Sequence, residues 1–166
     1  MASGGKREGM KLYRGYIKML TSIGGENEHL YECYNTPQAE QAFNEWLDTQ
    51  SKVEGVILYR GYRLEEQYLD SLYEGAIIEP LNITQEFHPA FTPNLLRASA
   101  YMNEMGSDLG RKVFFELHTS GKTMVDISKY SLYPEETEYQ PIADAKWVVK
   151  SVQDKGFRLN VVLYEQ

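Results

Sequence analysis

The spacing of apolar residues predicts three helices in this chain. Thr36 caps the first and Pro37 lies in its first turn, ahead of apolar positions at helical spacing: Ala39, Ala42, Phe43, Trp46 and Leu47. Thr92 and Pro93 repeat that cap and proline before a second amphipathic helix, whose apolar face is Leu95, Ala98, Met102 and Met105. A third helix is predicted around residues 64–73, ending at Gly75, because a left-handed cap is easiest for glycine.

Elsewhere the apolar residues alternate with polar ones or form short runs, as in strands. An early apolar strand covers residues 56–59, and four more are predicted at 113–117, 123–127, 146–152 and 157–163. Strands that cluster after helices, with short turns between them, favour a mixed α+β domain with largely antiparallel pairing.

The composition is that of one folded domain. The 166 residues include 42% hydrophobic and 13% aromatic residues, so we expect a single domain over 11–166, preceded by a flexible lead-in at 1–10. A net charge of -7 disfavours nucleic acid as a partner. Cys33 is the single cysteine, and neither a signal peptide nor an apolar run of about 20 residues is present. We therefore expect no membrane association. We expect the protein to act in the cytoplasm, either of the cell that makes it or of another cell into which it is delivered.

Arg60 is the first candidate for chemistry. It follows the apolar strand 56–59, so we expect it at the polar end of that strand. Its planar guanidinium can meet two phosphate oxygens at once, which suits a pyrophosphate. The alternative is a structural ion pair with one of the 24 acidic residues.

Glu136 and Glu138 form the second candidate. They are two residues apart, so in an extended chain both side chains project to the same face. In glycosyl chemistry, one carboxylate steadies the oxocarbenium ion while a second orients or deprotonates the nucleophile. The alternative is a solvated acidic turn.

Read together, these motifs resemble the mono-ADP-ribosyltransferase family, whose signature is an arginine, then Ser-Thr-Ser, then Glu-X-Glu. The resemblance covers residues 53–164. Residues 58–61 are similar to the family's aromatic-Arg-Gly strand, residues 120–128 to its glycine turn, strand and serine, and residues 133–138 to its target-recognition turn and Glu-X-Glu.

The resemblance implies a role for each matching residue. Arg60, together with Gly61, would hold the phosphates of NAD, Glu138 would hold the nicotinamide ribose, and Glu136 would receive the acceptor. A glutamate at the Glu136 position implies arginine as the modified residue. Tyr130 or Tyr133 would touch the target protein, or would equally serve to pack the turn.

The Ser-Thr-Ser motif is where the chain departs from the family. Counting back from Ala98, its last position falls on Thr92 and its first on Ala90, so the first serine is absent. Thr92 would then supply a hydroxyl that supports Glu138, and Phe91 would stack on nicotinamide. Alternatively, Thr92 only caps the following helix.

The resemblance implies an α+β ADP-ribosyltransferase-like fold, with two mostly antiparallel sheets around an NAD cleft and N-terminal helices. The implied function is an NAD-dependent mono-ADP-ribosyltransferase that uses NAD as co-substrate, needs no metal, and modifies a target protein. The biological setting would be that of a toxin, an effector or a phage protein. Two alternatives remain open: an NAD glycohydrolase, and a catalytically silent binding or inhibitor module on the same fold.

Overall fold

The computed structural model describes residues 16–20, 28–32, 37–80, 90–104, 110–130, 135 and 137–166. Its helices are α1 (Pro37–Thr49), α2 (Glu66–Leu69) and α3 (Leu95–Glu104), with one turn of 3-10 helix at Ser128–Tyr130. Its strands are β1 (Tyr16–Leu20), β2 (Glu28–Glu32), β3 (Glu54–Leu64), β4 (Ile77–Ile78), β5 (Arg111–Ser120), β6 (Met124–Asp126), β7 (Tyr139–Pro141), β8 (Trp147–Asp154) and β9 (Leu159–Glu165). The lead-in at 1–10 lies outside the described residues, so the domain limits stay a prediction.

The strands form one large sheet and two small ones. The large sheet has five strands in the order β3-β5-β9-β8-β4, of which β5 and β9 are parallel and the other neighbours antiparallel. Two antiparallel pairs, β1 with β2 and β6 with β7, make the small sheets. The mixed α+β fold with mostly antiparallel pairing is thus confirmed, whereas the β1–β2 pair was not predicted from the apolar pattern.

Residues 91 and 92 link the large sheet to the small β6–β7 sheet. Thr92 pairs through its backbone with Tyr59 at the free edge of β3, with N···O distances of 2.7 and 3.0 Å. Phe91 pairs in the same way with Tyr139 of β7, with two N···O distances of 2.8 Å. One short extended segment therefore lies between the strand that carries Arg60 and the strand that follows Glu138.

Three apolar clusters hold these elements together. The main one covers the inner face of the large sheet, where Leu58, Phe115, Leu117, Trp147, Val161 and Leu163 are among the buried residues. In a second cluster, α1 packs on β6 through Phe43, Trp46, Leu47, Val125 and Ile127. In the third, α3 packs on the outer face of β3 and β5 through Ala98, Met102 and Phe114. The predicted apolar faces of α1 and α3 are confirmed at these buried positions, whereas Leu95, also predicted on the face of α3, is 44% exposed.

The predicted ends of several elements were wrong. β3 continues to Leu64, which pairs with Arg111, so Arg60 lies inside the strand and not at its end. The residues expected to start a helix at 64 are held instead by pairing with β5, and only a single helical turn remains in α2. Pairing with a strand distant in sequence overrides local helix preference here. Phe157 precedes β9 and is exposed.

The cap of α3 also differs from the prediction. The helix begins at Leu95, and the Asn94 side-chain oxygen accepts a hydrogen bond from the backbone N–H of Arg97 at 3.1 Å. This is the geometry of an N-cap, so the cap is Asn94 and not Thr92. The Thr92 hydroxyl instead accepts the backbone N–H of Asn94 at 3.1 Å, in the turn that precedes the helix. The Thr92 side chain is therefore oriented by the turn that precedes α3, and not by the helix itself.

Candidate active site

Arg60 is held in the middle of β3 by contacts on both sides of its side chain. Its Nη1 donates a hydrogen bond to the carbonyl oxygen of Ala90 at 2.8 Å. Its guanidinium carbon lies 5.1 Å from the ring centroid of Tyr62, within the range of a cation–π contact. The side chain is half-buried. Arg60 is thus anchored to the first residue of the linking segment 90–92 and keeps part of its surface in solvent.

Gly61 gives α3 the space to pack on β3. Successive strand residues point to opposite faces, so position 61 faces away from Arg60, toward α3. A Cβ atom at position 61 would lie 2.4 Å from the carbonyl oxygen of Ala98 and 2.5 Å from Cβ of Met102. These distances are shorter than any real contact, so glycine is what allows α3 to approach β3. Helix packing thus accounts for glycine at this position, and the contact of Gly61 with the NAD phosphates stays a prediction.

Phe91 belongs to the main core. Its side chain is only 2% exposed, and its ring meets that of Trp147 edge to face, with centroids 5.3 Å apart and an interplanar angle of 82°. The expectation that Phe91 stacks on nicotinamide conflicts with this burial, because the ring would have to leave the core to reach a ligand. Its contribution to the site is the backbone pairing with Tyr139.

The hydroxyl of Thr92 reaches the Glu-X-Glu segment. Its Oγ1 lies 2.9 Å from Oγ1 of Thr137, the residue between Glu136 and Glu138, and the side chain is 6% exposed. Thr92 therefore contacts the residue between the two candidate glutamates, and its support of Glu138 stays a prediction.

Thr137 has a backbone conformation that changes the expected geometry of the two glutamates. Its φ of 47° lies in the left-handed region, which a β-branched residue rarely adopts. The chain is thus not extended at this point, so the argument that Glu136 and Glu138 share a face by strand alternation was wrong. Glu136 itself lies outside the described residues. A strained backbone between two candidate catalytic residues is typical of functional sites.

Glu138 is a buried carboxylate with a nearby amide donor. It is 5% exposed, and its backbone oxygen accepts a hydrogen bond from the N–H of Ile127 at 3.1 Å. The Gln140 side-chain Nε2 donates a hydrogen bond to its Oε2. Gln140 is 0% exposed, and the sequence analysis gave it no role. Its position in β7, two residues after Glu138, is the signal that could have identified it.

A second polar pair lies on the other face of β7. Tyr139 is paired across the small sheet with Asp126, whose Oδ1 also accepts the backbone N–H of Ser128 at 2.9 Å. Burial, then the negative charge of Asp126 and a hydrogen bond to it, raise the pKa of the Tyr139 hydroxyl above its ordinary 10.0. The phenol therefore stays protonated at neutral pH and acts as a hydrogen-bond donor.

Tyr130 packs within the fold. Its ring meets Trp46 of α1 edge to face at 5.0 Å, which agrees with the turn-packing alternative for this residue. Tyr133, the other candidate for target contact, lies outside the described residues.

Neither a metal site nor a membrane helix is found in the described part of the chain. Among those residues, His, Cys, Asp and Glu form no group of three or more that could hold a metal ion. Within the same ranges, no helix is both long and apolar enough to cross a membrane.

Comparison with known proteins places this geometry in a structural class. No protein-family model and no curated protein matches the sequence. Among solved structures, the chain resembles the Vis toxin, an ADP-ribosyltransferase from Vibrio splendidus, with a TM-score of 0.62 and 17% identity over 78% of this chain and 56% of that one. It also resembles the ADP-ribosyltransferase HopU1 of Pseudomonas syringae pv. tomato, with a TM-score of 0.54 and 21% identity over 78% and 52% of the two chains.

A third similar structure is Exoenzyme S from Pseudomonas aeruginosa, crystallised with human 14-3-3 protein beta and carba-NAD. Its TM-score is 0.56, at 14% identity over 80% of this chain and 61% of that one. The chain therefore has the ADP-ribosyltransferase fold, as its motifs predicted. It spans between half and two thirds of the length of these three proteins.

Proposed function

We propose that the chain is an NAD-dependent ADP-ribosyltransferase that cleaves the bond between nicotinamide and ribose and transfers ADP-ribose to a protein side chain. The observation that carries this proposal is the attachment of both candidate residues to one short segment. Arg60 donates to the carbonyl of Ala90, and the residue after Glu138 pairs with Phe91. The fold shared with ADP-ribosyltransferases supports the same assignment.

The spacing of the strands suits a dinucleotide. Neighbouring strands lie about 4.8 Å apart, so β3 and β7, which have one segment between them, are separated by roughly 10 Å. Because the segment 90–92 fills the space between these strands, we infer that the dinucleotide lies over this segment, with Arg60 holding the diphosphate on the β3 side and Glu138 holding the nicotinamide ribose on the β7 side. A guanidinium fork suits the diphosphate because it offers parallel N–H donors to two oxygens.

Glu138 would act on the charge that develops at the sugar. As the bond from the ribose anomeric carbon to the nicotinamide nitrogen breaks, its electron pair leaves with nicotinamide and positive charge grows on the ribose. A buried carboxylate stabilises that charge more strongly than one in water, because its field is less screened. The acceptor nitrogen then bonds to the anomeric carbon and gives up a proton, for which Glu136 is the proposed base.

We propose arginine as the acceptor residue. Glu136 occupies the position that the sequence resemblance associates with arginine. The Vis toxin, similar in fold, has been crystallised with agmatine, which carries the same guanidinium group as an arginine side chain. A carboxylate at position 136 would pair with such a group and orient it toward the ribose.

We propose the setting of a toxin or effector that acts on a protein in the cytoplasm of a target cell. The support is that similar structures include one described as a toxin and one bacterial protein solved in complex with a human protein, 14-3-3 protein beta.

The proposal is tested with NAD labelled in its adenylate part, incubated with the protein and a cell lysate. We expect labelled protein bands, and a Glu138→Gln variant that folds but neither labels protein nor releases nicotinamide. Glu116→Gln, which makes the same change on β5, is the matched control and keeps activity. Label recovered only as free ADP-ribose would indicate a glycohydrolase instead, and no NAD consumption would indicate a binding module.

A further inference from the structure

We propose that Gln140 is a positioning residue for the reaction, holding the Glu138 carboxylate in its reactive orientation. This inference rests on the proposed function, because it assigns Gln140 a role only through Glu138. The contact that carries it is the hydrogen bond from Gln140 Nε2 to Glu138 Oε2.

The contact is enclosed by the protein. Gln140 is 0% exposed and Glu138 is 5% exposed, so little water can compete for either partner. Val125 of β6 pairs with Gln140, and the N–H of Ile127, just after β6, donates to the backbone oxygen of Glu138. Both Val125 and Ile127 belong to the apolar cluster under α1. In such surroundings a hydrogen bond to a charged oxygen is stronger than in water, and its loss is correspondingly costly.

The orientation of the Gln140 amide has only one reasonable solution. A carboxylate accepts hydrogen bonds and donates none, so the amide must turn its NH₂ group toward Glu138. Its other end, Oε1, is then buried and has no hydrogen-bond partner among the described residues. A buried acceptor left without a partner is unfavourable, and an apolar side chain of the same size would avoid that penalty. Stability alone therefore does not explain a glutamine here, whereas the donor to Glu138 does.

The reaction would use this donor in two ways. A hydrogen bond to the ionised carboxylate favours that form over the protonated acid, which cannot stabilise positive charge on the ribose. The bond also fixes the rotation of the carboxyl group, so that one oxygen stays aimed at the substrate. Thr92, which sequence reasoning assigned to this role, places its hydroxyl 2.9 Å from that of Thr137.

The test compares NAD cleavage by the wild type with that of Gln140→Met and Gln140→His. Methionine fills a similar volume without a donor, whereas the histidine Nε2–H can replace the amide donor. We expect kcat to fall roughly 10- to 100-fold in Gln140→Met, the range set by a hydrogen bond to a charged group, with KM for NAD nearly unchanged. The acidic limb of its pH–rate profile moves to higher pH, and Gln140→His recovers part of the loss.

The matched control is Thr123→Val. Thr123 is 6% exposed, accepts a hydrogen bond from the Trp147 indole at 2.9 Å, and lies next to β6 without belonging to the proposed site. This variant loses buried hydrogen bonds yet keeps the kcat and pH profile of the wild type. Should Gln140→Met not fold, Gln140→Leu, which also lacks a donor, gives the same comparison.

The inference is overturned if the wild type cleaves NAD and the donor-free variant matches it in kcat and pH profile. It is also overturned if Gln140→Met and Thr123→Val lose activity equally, because Gln140 would then only support the fold. A wild type that consumes no NAD is a different result, since it removes the proposed function itself.

Discussion

The hydroxyl oxygens of Thr92 and Thr137 lie 2.9 Å apart, although 45 residues separate them in the sequence. This contact ties the segment before α3 to the residue between the two candidate glutamates. Because backbone pairing holds Thr92 against Tyr59, the contact also relates Thr137 to the strand that carries Arg60. The hydroxyl pair is thus a cross-link between the two halves of the proposed site.

We expect Thr92→Val to lower NAD cleavage about tenfold and to cost about 2 kcal/mol in the free energy of unfolding, because its hydroxyl loses two hydrogen bonds, one with Thr137 and one from the Asn94 N–H. Steady-state kinetics and urea unfolding measure the two effects. Thr119→Val is the matched control, because Thr119 is also buried and bonded, to Val56, but lies away from the site. The control should lose stability and keep kcat; an unchanged kcat in Thr92→Val would contradict the cross-link.

Thr137→Gly should leave stability nearly unchanged while lowering activity. The left-handed conformation costs a non-glycine residue about 1–2 kcal/mol, and glycine avoids that cost but loses about 0.5–1 kcal/mol more in chain entropy. The variant also loses the hydrogen bond to Thr92, worth about 1 kcal/mol, so the net change in urea unfolding should lie close to zero. NAD cleavage falls because Thr92 loses its partner. Thr119→Gly, in the regular strand β5, should destabilise instead, and a similar loss in both variants would argue against strain at 137.

The free energy of unfolding should fall at alkaline pH because the Tyr139 hydroxyl loses its proton there. Its pKa is raised in the folded protein, so the folded state binds this proton more tightly than the unfolded chain does. The resulting stabilisation is complete below the ordinary pKa of 10.0 and disappears as the pH rises through the folded pKa. Above about pH 10, the urea midpoint of the wild type should therefore fall more steeply than that of Tyr139→Phe. Tyr73→Phe, at a residue 61% exposed, is the control and should follow the wild type.

Glu165 should be essential for stability and dispensable for chemistry. Its carboxylate, 8% exposed, accepts hydrogen bonds from the backbone N–H groups of Ser120 and Thr123 and from both hydroxyls. Glu165→Ala leaves these donors without their acceptor, and we expect a loss of about 3 kcal/mol in urea unfolding. Activity per folded molecule should stay within twofold of the wild type, with Glu116→Ala as the control. If Glu165→Ala folds but does not cleave NAD, Glu165 has a role in the reaction and the prediction is wrong.

The sequence predicted well those features that depend on neighbours in the chain. The apolar positions Phe43, Trp46 and Leu47 recur every three or four residues, and each is buried on α1. The run of alternating residues before Leu163 likewise forms β9. In both cases the local period alone decides which side faces the core.

Features that depend on distant partners were harder to predict. The length of β3 follows from its pairing with β5, some fifty residues later, which no local preference records. Thr137 is held in its left-handed backbone conformation by a contact with Thr92, whereas a β-branched residue on its own disfavours that conformation. The role of Gln140 depends on the burial of its amide beside Glu138. These are the positions where the geometry of the site was misjudged or missed.

Gly61 determines how a mutational scan of this protein should be interpreted. Its missing side chain lets α3 rest on β3, and α3 begins three residues after Thr92. An alanine at position 61 would displace α3 from β3 and so move the Thr92 hydroxyl away from Thr137. Such a variant would score as inactive without having lost a contact to substrate. A mutational scan can therefore distinguish residues that only allow close packing from residues that bind ligand only if expression and folding are measured together with turnover.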